Sequence, residues 1–191
     1  TDNASSDESV AYMQSQQQEF NIRIIQNREN RSFSAANNQG AAEASGEYLL
    51  FLNNDTEVTN GWLDELLLAM KTADHPGAVG AKLIYPHIPE GTVNEGKSWL
   101  IQHAGIAFRP IMWQKVFYFE PYNMENGMPD DHPEDRLIER AGVTAAALLI
   151  RKSVFEEIGC FDENYLYGYE DVDLCLKLHQ AGYKNYYCPT G

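Results

Sequence analysis

Apolar and polar positions follow one another along this chain in blocks whose period switches between that of a helix and that of a strand. Residues 32–45 place Phe33, Ala36, Asn37, Gly40, Ala41 and Ala44 at helical spacing. That predicts a helix with a face of small residues, able to pack closely on a sheet. Gly46 ends it, and Glu47 to Leu52 is a continuous apolar run of the kind found in a strand covered on both faces. After the polar break Asn53-Asn54-Asp55-Thr56-Glu57, Leu63, Leu66, Leu67 and Met70 recur at i, i+3, i+4 and i+7, with Asn60 as the expected cap and Asp64 and Glu65 near the positive end.

Further on, Ala78–Tyr85 predicts a strand, as do 101–108 and Ala141–Ile150. A short helix is expected from Ser153 to Ile158, a longer one from Glu170 to Ala181, and a last strand from Tyr183 to Cys188. At the other end, 7–18 is polar and helix-compatible, and 20–25 is a short strand candidate. The βα alternation with short connections predicts a single α/β domain, a doubly wound and mostly parallel sheet flanked by helices. Residues 109–136, with Pro110, Pro121, Pro129 and Pro133 among many aromatics, show little period and are expected to be a long variable loop insertion.

Charge then narrows the partners. Fourteen basic against twenty-eight acidic residues give a net charge of -14, which repels a phosphate backbone and argues against nucleic acid. For the same reason, any diphosphate bound here would need a divalent cation to neutralise it locally. Cys160, Cys175 and Cys188 are odd in number and without CxxC spacing, which points to a reducing compartment rather than a disulfide framework or zinc cluster. No apolar run approaches the length of a membrane span. His75, His87, His132 and His179 have no metal-ligand spacing.

Three places carry candidate chemistry. Ligands of doubly wound sheets sit beyond the carboxyl ends of the strands, and Asn53–Asp55 occupies such a position. A carboxylate there can hold Mg²⁺ or Mn²⁺ with coordination sites left open for phosphate oxygens, although an Asn/Asp-rich turn needs no ligand to exist. Glu170-Asp171 opens a helix, where adjacent carboxylates repel and raise each other's proton affinity if partly buried, or simply favour the helix dipole. Tyr165, Tyr167 and Tyr169 around Gly168 can form a stacking floor for a sugar, or be ordinary core.

Taken in order, Thr1–Asp7, Arg31–Gly40, Gly46–Thr56 and Gly168–Cys175 resemble glycosyltransferase family 2, whose members are inverting enzymes of the GT-A fold. The resemblance covers nearly the whole chain outside 109–136. It implies a domain, 1–191, that moves a sugar from a nucleotide-diphosphate donor, a UDP- or dTDP-sugar, to a saccharide or lipid-linked acceptor with the aid of Mn²⁺ or Mg²⁺. On this resemblance Asp171 is the general base and Glu170 holds the acceptor or positions Asp171. Asn53-Asn54-Asp55 stands where the family has a DXD motif, so Asp55 is the metal ligand, Asn53 replaces the first carboxylate, and Asn53 and Asn54 face the donor. Asp2 recognises the nucleotide base, Asn37 borders the donor, and Tyr167 and Tyr169 meet the acceptor. His103 lies in a recurrent family stretch, as a lining of the donor pocket or as a structural hydrogen-bonding group. A cytoplasmic location follows, peripheral at the inner membrane face if flanking segments or a lipid-linked acceptor bring it there. Because Thr1 runs straight into a loop, the first nucleotide-binding strand is expected upstream, and the domain is expected to be partial. Two other classes stay open: a non-catalytic nucleotide-sugar or carbohydrate-binding module, favoured by Asn53, and a nucleotidyltransferase, which lacks its expected glycine-rich basic loop here.

Overall fold

The computed structural model describes residues 1–86, 90–91, 99–130 and 136–191; His87, His132 and Pro133 lie outside them. After a polar helix α1 (Ser9–Gln16), which buries none of its residues, the chain enters helix α2 (Phe33–Glu43) through Ser32, whose hydroxyl accepts the Ala35 N–H. Strand β1 (Tyr48–Leu52) leads to helix α3 (Trp62–Thr72) and strand β2 (Pro76–Ala81). Short strands β3 (Leu83–Ile84) and β4 (Ile101–His103) pair antiparallel, followed by a long hairpin of β5 (Ile106–Trp113) and β6 (Val116–Asn123). Strand β7 (Ile138–Arg140), strand β8 (Ala147–Arg151), helix α4 (Lys152–Glu157), helix α5 (Glu170–Gln180) and strand β9 (Lys184–Cys188) complete the order.

The central sheet runs β1-β8-β2-β9-β7. Strands β1, β2 and β9 point the same way, as a doubly wound sheet requires, but β8 lies antiparallel between β1 and β2, and β7 runs antiparallel beside β9. Direction is invisible to periodicity: β8 is apolar on both faces, as a parallel inner strand would be. Leu148 and Ile150 project to one side, where they join Leu49, Phe51, Phe155, Phe161, Leu174 and Leu178. Ala147 and Leu149 project to the other, against Leu66, Ala69 and Met70 of α3. Helices therefore cover both faces.

Several predicted elements differ in detail. Residues 20–25 form no strand; the segment meets the N-terminus in one parallel bridge, Asp2 with Gln26, because a strand needs a neighbour along its length and Thr1–Asp2 supplies only a single rung. Gly61, in the left-handed region at φ 82°, precedes α3 in place of the expected Asn60 cap. Leu63 is 37% exposed, the core face being carried by Leu66, Ala69 and Met70. Within 109–136, the expected loop is a hairpin from 106 to 123. Ala141–Ala146 is buried or half-buried for most of its length but is not strand.

Beneath that last segment lies Gly80. A Cβ built there would stand 2.5 Å from Val143 Cβ, so the glycine is what allows β2 and the 143–146 segment to touch. We expect Gly80→Ala to cost about 1–3 kcal/mol, as other forced overpacking does, and to lower the thermal midpoint by several degrees; an unchanged melt would mean that Val143 yields freely.

Candidate active site

Where β1 ends, the chain turns at once. The Asn53 N–H donates to the Ala146 carbonyl at 2.9 Å, and the Thr56 hydroxyl and N–H both reach back to the Asn53 carbonyl at 2.5 and 3.3 Å. Asn53 is thereby held half-buried, and Asn54 and Asp55 are presented to solvent on the turn.

The acidic pair arrives from the other direction. Gly168 and Tyr169 are both left-handed, at φ 72° and 68°, which swings the chain sharply into α5. In the first turn of that helix, Asp171 accepts the Ala145 N–H on Oδ2 at 3.2 Å and the Val172 N–H on Oδ1 at 2.8 Å. Its carboxylate is fixed in orientation, with a second lone pair on each oxygen still open. Glu170, partly buried, has its carboxyl pushed above the usual range, first by burial and then by the neighbouring Asp171 charge. One turn on, Lys177 pairs with Asp173 at 2.7 Å.

Ala145 and Ala146 thus bond to the two acidic elements at once, and the Asn53–Asp55 turn and the start of α5 meet at the same end of the sheet, beyond the carboxyl end of β1. Next to them, the Thr144 N–H donates to His103 Nε2 at 3.2 Å, while His103 Nδ1 pairs with Asn123 Oδ1 at 3.0 Å. Those partners fix the tautomer with its proton on Nδ1. His103 is 1% exposed, and burial lowers its pKa, with Asp171 acting in the opposite sense and Arg140 in the same sense. Of its two sequence readings, these contacts describe the structural hydrogen-bonding one. Cys175 on α5 closes the cluster: its Sγ accepts the Val143 N–H at 3.4 Å, and burial pushes the thiol up to about 12.

The remaining sequence-predicted residues are placed elsewhere. Asp2 is buried, with backbone bonds to Ile25 and Asn27 and the Ser5 N–H at 3.4 Å from both carboxylate oxygens; it lines a polar recess with Ser5, Gln26, Asn27 and Arg28. Asn37 spends its amide N–H on the Phe33 carbonyl at 2.9 Å and borders a different groove, between α2 and β1 beside Thr1. Tyr167 is 99% exposed and Tyr169 is exposed beside it, so neither is core.

Two groups of residues escaped the sequence reading. Thr144, Ala145 and Ala146 act through backbone N–H and C=O groups, which leave no side-chain signature. Asn38 ties α2 to the 161–163 turn, donating to the Phe161 carbonyl and Glu163 and accepting the Phe161 N–H at 3.1 Å; an Asn on a half-buried helix face was its one visible sign. Asn3, Asn27 and Gln39 likewise join in an amide network that pins the N-terminal loop.

Among the described residues no group of three or more His, Cys, Asp or Glu side chains could hold a metal. A single exposed carboxylate flanked by amides does not make a closed cage; it fits a hard cation that keeps water and brings phosphate oxygens as its other ligands.

A helix-covered sheet that gathers a carboxylate turn and an acidic helix start at its strand ends is a framework in keeping with a glycosyltransferase domain. The family model described as Glycosyl transferase family 2 matches residues 1–159, and the chain belongs to that family. It is 39% identical over 158 residues to the O-antigen biosynthesis protein RfbC of Myxococcus xanthus, covering 79% of this chain and 11% of that protein. It is 28% identical over 184 residues to the N-acetylglucosaminyl-diphospho-decaprenol L-rhamnosyltransferase of Mycobacterium tuberculosis (strain CDC 1551 / Oshkosh), covering 89% and 57%. The chain therefore spans less than two thirds of either relative. Among solved structures, GalNAc-T7 with UDP, GalNAc and Mn²⁺ superposes with a TM-score of 0.66 at 18% identity, over 99% of this chain and 35% of that one. The shared fold is the GT-A fold.

Burial of His103 has a consequence for stability. Its folded pKa lies below the unfolded value, so between the two the unfolded chain takes up a proton that the folded chain refuses. Stability from this group is complete above about pH 6.5 and falls as the pH drops below it. Thermal melts at pH 7.5, 6.5 and 5.5 should show the wild type losing stability more steeply than His103→Gln; parallel curves would contradict the assignment.

Proposed function

We propose that this domain transfers a sugar from a UDP- or dTDP-sugar to a hydroxyl of a saccharide or lipid-linked acceptor, with inversion at the anomeric carbon. The observation that carries the reading is the junction at Ala145–Ala146, to which both the Asn53–Asp55 turn and the Asp171 carboxylate are bonded. Family membership supports the transferase class, and the names of the relatives, O-antigen biosynthesis and rhamnosyl transfer to a diphospho-decaprenol saccharide, support a glycan or lipid-linked acceptor.

In this reading the acceptor hydroxyl attacks the anomeric carbon from the side opposite the diphosphate. The new carbon–oxygen bond forms as the bond to the diphosphate oxygen breaks, and the hydroxyl proton passes to Asp171. The Ala145 and Val172 N–H groups keep that carboxylate aimed, so that no reorientation is needed when the proton moves. Glu170, its carboxyl held up by burial, serves as a hydrogen-bond partner to the acceptor, and Tyr167 and Tyr169 offer ring faces to the sugar. Asp55, with Asn53 and Asn54 on the donor side, would hold a Mg²⁺ or Mn²⁺ ion whose charge offsets that of the departing diphosphate. The family resemblance assigns Asp2, in its polar recess, to the nucleotide base, and Asn37, on the separate groove beside Thr1, to the donor's border.

One observation favours a second reading, a nucleotide-sugar-binding module without catalysis: Asn53 takes away a carboxylate at the metal turn. Donor turnover by the full chain separates the two. We expect Mn²⁺-dependent release of nucleotide diphosphate from UDP- or dTDP-sugars, a loss of about 10²–10⁴-fold in Asp171→Asn with nucleotide affinity retained, and loss of the Mn²⁺-dependent part of that affinity in Asp55→Ala. Binding without turnover across UDP-, dTDP- and GDP-sugars would establish the module instead, and UDP affinity indifferent to Mn²⁺ would remove the role of Asp55.

A further inference from the structure

The β5–β6 hairpin has no place in the reading above, and its surface is unlike the rest of the chain. It forms a two-stranded sheet of its own, paired in register from Ile106 with Asn123 to Trp113 with Val116. Gln114 and Lys115 make the turn, both left-handed at φ 48° and 65°, the geometry that keeps two strands paired to their tips.

Register sorts the side chains onto two faces. One carries Phe108, Pro110, Met112, Phe117, Phe119 and Pro121, without a polar group among them. The other carries the ion pair Arg109–Glu120 at 2.6 Å, with the Arg109 guanidinium over the Tyr122 ring. Beyond that pair this face too is apolar or aromatic, with Ile111, Trp113, Val116 and Tyr118. At the tip the exposure is large: Trp113 66%, Phe117 69% and Phe119 73%.

We propose that the tip of this hairpin, from Ile111 to Phe119, inserts into the interfacial layer of a lipid bilayer. A partner protein pressing on a sheet covers one face and leaves alternation of apolar and polar positions; here both faces are apolar beyond the ion pair, which suits an element surrounded by an apolar medium. Charge agrees: Ile106–Asn123 holds two cations and one carboxylate, and the excess cation, Lys115, sits at the tip, in a chain whose net charge is -14. The tip, Ile111–Phe119, contains no carboxylate, and the one carboxylate of the hairpin, Glu120, is paired with Arg109, so the tip can approach anionic headgroups. Trp and Tyr with a Lys are the side chains that settle at headgroup level. Depth is limited by the backbone, because among the described residues no strand pairs with the outer edges of the hairpin beyond its root, and unpaired edges cannot enter hydrocarbon. The four residues between the ion pair and the turn reach about 13 Å, enough for the headgroup layer and its boundary with the acyl chains, with Arg109–Glu120 left at the water side. A second copy of this chain fits less well, since Pro110 and Pro121 each take away an N–H that an added strand would need.

The test is sedimentation of the chain with vesicles of phosphatidylcholine and phosphatidylglycerol, read together with tryptophan fluorescence and its quenching by brominated lipid. We expect co-sedimentation, a lipid-induced blue shift that is absent in Trp113→Ser, and a loss of partitioning of at least about tenfold for each of Trp113→Ser and Phe117→Ser, with circular dichroism unchanged. Lys115→Glu should weaken binding to vesicles containing phosphatidylglycerol more than to pure phosphatidylcholine. Absence of vesicle binding overturns the proposal, as does binding that leaves Trp113 unquenched. A Trp113 shift produced by a soluble oligosaccharide without vesicle binding would make the hairpin a glycan surface, and a hairpin-dependent doubling of mass in solution would make it a contact between copies.

Discussion

Ala145 and Ala146 spend their backbone groups on two elements that are distant in sequence. The carbonyl of Ala146 receives the N–H of Asn53, at the end of β1, and the N–H of Ala145 is given to Asp171, at the start of α5. Their neighbours extend the same pattern, Thr144 to His103 and Val143 to Cys175. A segment of four residues that is not strand, lying at the mouth of the antiparallel strand β8, therefore anchors both the turn that carries Asp55, through Asn53, and the carboxylate of Asp171. It can do so because its own side chains are small or point inward, Val143 against the bare face of Gly80 and Ala145 into the core. A buried backbone donor must find a partner or cost free energy; here the partners are the candidate catalytic carboxylate, an imidazole and a thiol.

This division of labour explains what could be read from the sequence. Helices α2, α3 and α5 and the strand β1 announce themselves through spacing, and the turn after β1 through its Asn and Asp, because in each case the side chain is the signal. The direction of β8 is silent, since Leu148 and Ile150 on one face and Ala147 and Leu149 on the other would look alike either way up. So is the end of regular structure between Gly142 and Ala146: the run Gly-Val-Thr-Ala-Ala is as apolar as a strand, yet its N–H groups at Val143, Thr144 and Ala145 are taken by side chains, and backbone pairing is confined to single bonds at Gly142 and Ala146. The hairpin was hidden for the opposite reason. Alternation is how a half-buried strand shows itself, and a hairpin apolar on both faces has none.

Acidity and the candidate chemistry fit together through the cations rather than against them. An enzyme of anionic donors with a net charge of -14 would ordinarily spend basic side chains on the phosphates. Two cations of this region are engaged: Lys177 with Asp173, and Arg140 with the Ala104 carbonyl and Glu125. Under the proposed function, part of the compensation for a diphosphate would come from a divalent ion brought with the ligand, and the exposed carboxylate of Asp55 would hold it.

His103 links this site to the hairpin. One ring nitrogen receives the Thr144 N–H and the other bonds Asn123, the last residue of β6, while Ile106, the first residue of β5, gives its N–H to the Gly142 carbonyl at 2.7 Å. Both strands of the hairpin are thus rooted in the segment that orients Asp171. A surface engaged by the hairpin tip would then hold the acidic helix start at a fixed height and angle above it, without any contact between that surface and the site itself. For an acceptor carried on a lipid, such an arrangement would replace a search in three dimensions by one along a plane, with the buried imidazole, hydrogen-bonded through both nitrogens, joining the root of the hairpin to the segment that orients Asp171.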